Sequence, residues 1–229
     1  MNEKNSYIAV FDSGVGGISV LRHLIRLMPQ ERFVYFGDSA NAPYGSRSTQ
    51  EVRELTLAAV QFLLTQYPLK ALVIACNTAT AAAVNDVRQA HPDLIVVGIE
   101  PALKVAADHY PGGRVGVLAT EVTLREEKFD TLLHRFDENV TIYKIPVPGL
   151  VELVEQGKVD TPETEALLRR VLGKDVVLLD GGEGTARETR RRLEKAGLLE
   201  NGTGDIIIRN SSPDPDMLRL SWERLRQED

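Results

Sequence analysis

The chain has 229 residues, of which 43% are hydrophobic and 26% charged, the make-up of a globular protein with one large domain or two small ones. Its formal net charge of −6, with no dominant basic stripe, argues against a nucleic-acid surface, and no apolar run approaches the length of a membrane span. A single cysteine excludes an intrachain disulfide and fits a reducing compartment.

His23, His91, His109 and His134 are scattered without metal-ligand spacing, so no metal is expected. Met1 to Ser6 is short and polar, with no signal-peptide core, and a cytoplasmic location is expected. Ile8-Ala9-Val10-Phe11 predicts a buried strand that ends in Asp12-Ser13-Gly14-Val15-Gly16-Gly17. A helix follows, apolar at Ile18, Val20, Leu21, Leu24, Ile25 and Met28, and stopped by Pro29. The glycine turn lacks the G-x-G-x-x-G spacing and a P-loop lysine, which disfavours a dinucleotide or phosphate site. Its glycines instead let the backbone approach a small polar ligand, with Asp12 and Ser13 directed at it. Phe33 to Asp38 is a second strand. The loop Ser39 to Ser48, with Pro43-Tyr44-Gly45, is long for a strand-to-helix connection, and such loops tend to be functional. Glu51 to Gln66 is the next amphipathic helix.

Ala71 to Ala75 is a strand buried on both faces, closed by Cys76-Asn77-Thr78 before an alanine-rich helix opens at Thr80. Asn77 or Thr78 is the expected N-cap. Cys76 then sits at the carboxyl end of a parallel strand and beside a helix N-terminus, where open α/β sheets bind ligands. The helix dipole would lower its pKa from about 8.5. The bland alternative is an inert, buried cysteine; the polar flank and strand-end position weigh against it. Leu94 to Ile99 completes a strand–helix series that predicts a parallel sheet covered by helices, with residues 1–98 as a first lobe.

A second set begins near residue 99. Strands are expected at Val115–Thr120, Val140–Val147 and Val176–Asp180, and helices at Leu124–Phe136, Leu150–Gln156 and Pro162–Leu172. Val176 to Asp180 is followed by Gly181-Gly182-Glu183-Gly184, much as glycines follow Asp12. Either two related lobes (1–98 and 99–185) face each other across a ligand, or good strand-to-helix turn chemistry simply recurs. Residues 186–229 would return to the first lobe through a strand at Ile206–Ile208 and a closing helix, Asp214 to Arg226, that carries Trp222. Arg187, Arg190, Arg191 and Arg192 alternate with Glu183, Glu188 and Glu194, the pattern of a solvated helix face.

Asp12-Ser13-Gly14-x-Gly16-Gly17, Gly37-Asp38…Pro43-Tyr44-Gly45 and Ala75-Cys76-Asn77-Thr78-Ala79, in this order, resemble the glutamate racemases of the aspartate/glutamate racemase superfamily. The resemblance covers most of the chain. It implies two pseudo-symmetric, doubly wound, flavodoxin-like α/β lobes with parallel sheets and the site between them. It also implies cofactor-independent interconversion of L- and D-glutamate, the D-form supplying peptidoglycan, and allows a homodimer. Carried over, Cys76 is a catalytic cysteine, and Asp12 and Ser13 contact substrate and tune the thiol. Pro43, Tyr44, Gly45, Asn77 and Thr78 belong to the amino-acid site, and Thr120, Thr123 and Glu155 are the second-lobe contacts.

The family uses a second cysteine, in a Gly-Cys-Thr-His stretch, as the acid on the opposite face. This chain has one cysteine and runs from Arg169-Arg170 almost directly to Val176, so an internal deletion is expected there and the second lobe is shortened. Two functions remain open: a racemase-type isomerase working through Cys76, or a non-catalytic relative that binds an acidic amino acid or a protein partner. A single-cysteine decarboxylase is disfavoured by the Asp12-Ser13-Gly14 and Pro43-Tyr44-Gly45 motifs.

Overall fold

Three apolar runs far apart in sequence lie side by side. β1 (Tyr7–Asp12) pairs in parallel with β2 (Arg32–Gly37) on one side and β3 (Leu69–Ile74) on the other. β4 (Ile95–Gly98) extends the sheet beyond β3. The structure, a computed structural model, describes residues 6–99, 103, 106–107, 110–119, 124–125, 130, 133–134, 136, 139–147, 153, 176 and 181–226.

Every residue of β1 is buried, as expected for a central parallel strand covered on both faces. Alternation assigns each side chain to one of two cores. Ala9, Phe11, Val34, Phe36, Leu72 and Ile74 face α2 (Thr49–Gln66) and α3 (Asn77–Ala90). Ile8, Val10, Phe33, Tyr35, Ala71 and Val73 face α1 (Ile18–Leu27) and α4 (Gly182–Lys195). β7 (Asp205–Asn210) then joins the free edge of β2 in parallel, giving the order β4-β3-β1-β2-β7, and α5 (Pro215–Arg226) follows. On α4 three ion pairs form within the helix, Arg187 with Glu183 and both Arg191 and Arg192 with Glu188, and of these residues Glu188 and Arg192 are half-buried.

The helix α2 begins two residues before the expected Glu51, because Ser48 and Glu51 form a reciprocal capping box. A second parallel pair, β5 (Arg114–Ala119) and β6 (Thr141–Pro146), encloses a smaller core of Leu103, Ala107, Val117, Leu124, Leu133 and Val140. The helices expected at 150–156 and 162–172 and the strand at 176–180 lie, apart from residues 153 and 176, outside the described residues.

At the start of α1 the two central strand ends come very close. A Cβ on Gly17 would stand 2.7 Å from Asp12 Cβ and 2.9 Å from Ala75 Cβ. Gly17→Ala should therefore spread the ends of β1 and β3 and destabilise the protein by about 1–3 kcal/mol in urea unfolding. An unchanged midpoint would mean that the strand ends yield freely.

Candidate active site

The parallel register brings the carboxyl ends of β1, β2 and β3 to one rim, and the candidate residues leave the sheet there. Asp12 ends β1 with its side chain buried. Its Oδ2 accepts the Gly14 N–H at 2.9 Å, and the amides of Ser13, Gly16 and Gly17 also favour its charged form. Burial outweighs them and holds the carboxyl above its ordinary range.

Cys76 follows β3 and is 7% exposed. Its thiol donates to Ser13 Oγ at 3.4 Å, and its sulfur accepts the Ala79 N–H at 3.4 Å. Cys76, not Asn77 or Thr78, is thus the N-cap of α3. The cysteine keeps extended backbone angles where the strand gives way to the helix, so Asn77 and Thr78 already lie in the first turn, Asn77 exposed and Thr78 buried.

The expected lowering of the Cys76 pKa is also overturned. Burial, with the negative charge of Asp12 behind it, pushes the thiol up to about 11. Ser13 and the Ala79 amide pull the other way, as a helix N-terminus should, but desolvation is the larger effect. In the ligand-free protein the group is a thiol at neutral pH.

The Ser39–Ser48 loop folds as two short 3-10 turns around a cis Ala42–Pro43 peptide. Tyr44 is buried against Phe11, their ring centres 6.4 Å apart. Its hydroxyl donates to Asp38 Oδ2 at 2.7 Å, while the Asn41 amide spans both Asp38 oxygens at 3.0 and 3.1 Å. Burial, then that bond and the charge of Asp38, raise the Tyr44 pKa. Pro43 and Gly45 flank it, half-buried. Asp12, Ser13, Tyr44, Cys76 and Thr78 therefore gather at one rim, whereas Thr120, Thr123 and Glu155 lie outside the described residues.

Two contributors were given no role by the sequence reasoning. Asp38 holds Tyr44, and Tyr35 on β2 donates its hydroxyl to the Gly14 carbonyl at 2.8 Å. The Asp38 signal was present, a carboxylate directly at a strand end; that of Tyr35 was not, since a tyrosine within an apolar run looks like core. Among the described residues no cluster of three His, Cys, Asp or Glu side chains could hold a metal.

A sequence profile of the Asp/Glu/hydantoin racemases matches residues 13–179. The chain belongs to that family. It is 42% identical to a glutamate racemase of Clostridium botulinum, over 96% of this chain and 97% of that protein. Among solved structures of family members, a glutamate racemase isoform of Bacillus anthracis superposes with a TM-score of 0.85 at 29% identity, covering 98% of this chain and 96% of that one. A glutamate racemase of Thermus thermophilus in complex with β-chloro-D-alanine gives 0.78 at 34% identity, covering 98% and 94%. These likenesses agree with the α/β fold and parallel sheets expected from the sequence. The alignment to the Clostridium protein spans 252 positions against 229 residues here, so at least 23 of its positions have no counterpart in this chain. The shortening inferred between Arg170 and Val176 falls on residues 170–175, outside the described residues.

Proposed function

We propose that this chain is a cofactor-independent amino-acid isomerase of the glutamate racemase type, with Cys76 as the group that moves the α-proton of glutamate. The observation that carries this reading is the convergence of a buried thiol, a buried carboxylate and a hydroxyl at the ends of two adjacent parallel strands. The ammonium group of a bound amino acid would lie beside Asp12. Its positive charge would offset the carboxylate that now disfavours the thiolate, and so help Cys76 to ionise. The thiolate takes the proton from Cα, the electron pair passes into the substrate carboxylate, and fixed N–H and O–H donors steady the enolate-like charge. A thiol with a pKa near 11 is a stronger base, once ionised, than an ordinary cysteine.

Inversion needs a proton delivered to the opposite face, and the chain has no second cysteine to deliver it. The expected behaviour is exchange that outruns inversion. When L- and D-glutamate are supplied separately in D2O, one enantiomer should lose its α-proton NMR signal faster than its mirror image accumulates, and Cys76→Ala should abolish that loss. Equal rates of exchange and inversion would show that another group completes the racemase. Exchange no faster than in Cys76→Ala would favour the second reading, a non-catalytic relative that binds an acidic amino acid, which the single cysteine makes specific.

A further inference from the structure

Tyr35 is fully buried in the sheet, yet its hydroxyl leaves the apolar core to reach the Gly14 carbonyl at 2.8 Å. Gly14 belongs to the turn whose own N–H binds Asp12 and whose neighbour Ser13 meets the Cys76 sulfur. The same carbonyl is confined from a second direction: a Cβ on Gly37, two residues along β2, would stand 2.3 Å from Gly14 O. β2 thus holds one peptide unit of the turn by a hydrogen bond and a close backbone approach together. The Gly14 Cα joins that unit to the preceding peptide, which carries the Gly14 N–H and begins at Ser13, so displacement of the carbonyl would be passed back to the Gly14 N–H and the Ser13 side chain.

We propose that Tyr35 is a positioning residue of the site: by fixing the Gly14 carbonyl it keeps Ser13 Oγ on the Cys76 sulfur and the Gly14 amide on Asp12. Tyr35 touches no reacting atom and acts through the turn. Ser13 serves both protonation states of the cysteine, accepting from the thiol and donating to the thiolate. Since Ser13 is among the groups that favour the thiolate, a turn released from Tyr35 should leave Cys76 harder to ionise. The inference deepens the proposed role of Cys76, but its test needs no substrate, so failure of glutamate exchange would leave the result intact.

The chain has one cysteine, so protein labelled with [3-13C]cysteine gives one Cβ resonance whose shift follows thiol ionisation. That readout is insensitive to reagent access. Against a wild-type midpoint near 11, Tyr35→Phe, which removes one oxygen and keeps the ring, should raise the midpoint by about half a pH unit or more, as loss of a single hydrogen bond to the thiolate would. Ser13→Ala should raise it similarly, and the double variant should match Ser13→Ala alone. A Tyr35→Phe protein with a lower melting temperature but an unchanged midpoint would reduce Tyr35 to a structural role and overturn the proposal. Shifts that add in the double variant would overturn it too. If Tyr35→Phe does not fold, site-specific 3-fluorotyrosine at position 35 keeps the ring and strengthens the donor. Its midpoint should then stay at or below wild type, and a rise would overturn the proposal.

Discussion

Asp12→Asn should move two properties of Cys76 in opposite directions. Asparagine preserves the shape of the side chain and an oxygen for the Gly14 N–H, but removes the charge. That charge is one of the two causes that hold the Cys76 thiol up, burial being the other, so its loss should lower the midpoint of thiol ionisation below about 11. At a fixed pH between 8 and 10, alkylation of the single cysteine should be several-fold faster, since reactivity follows the thiolate fraction. Glutamate exchange should fall by about a hundredfold or more, because the anion that receives the ammonium group is gone and the thiolate becomes a weaker base. If alkylation and exchange fell together, Asp12 would be supporting the fold of the turn and not the chemistry.

The largest effect on stability is expected far from the rim. Lys70, at the start of β3, points its Nζ at Glu31 Oε2 at 2.5 Å, with both side chains 1% exposed. Lys70 also donates to the Leu198 carbonyl at 3.0 Å, and Glu31 Oε1 accepts the Glu200 N–H at 2.8 Å. Together they fasten the amino ends of β2 and β3 to the segment that carries the chain from α4 into β7. Glu31→Ala strands a buried ammonium group and should cost about 3–5 kcal/mol, read as a shift of the urea midpoint. Replacing both residues with methionine leaves no charge unpaired and should cost clearly less than the single change. A loss under about 1 kcal/mol for Glu31→Ala would show that water reaches Lys70 once its partner is gone.

What could be read from the sequence divides by range. The runs at Ile8–Phe11 and Ala71–Ala75 were legible because a strand buried on both faces has no polar residue to disguise it. The start of α2 was placed two residues late at Glu51, although Ser48 and Glu51 stand at capping-box spacing and carried the signal for it. Cys76 was placed correctly at a strand end, yet the sign of its pKa effect was not. The local sequence shows the helix terminus that favours a thiolate, but not the packing of Ser13, Asp12 and the Tyr44 loop that removes water. Tyr44 was assigned to the ligand, and its bond to Asp38 depends on how the intervening loop folds back. Nothing in the sequence around Lys70 signals its burial, because Glu31 and Leu198, the groups that explain it, are distant in sequence.

The place of β7 bears on how the molecule is made. Arg32 of β2 is paired with Asp205 of β7, so one edge of the first sheet waits for a strand translated long after β2 itself. Until Asn210 has left the ribosome, the backbone of Phe33, Val34, Tyr35 and Phe36 has no neighbour on that side and offers a template to any other extended chain. Synthesis of this protein thus passes through a window in which its five-stranded sheet is nearly complete but unsealed. Chaperone demand should be greatest in that window.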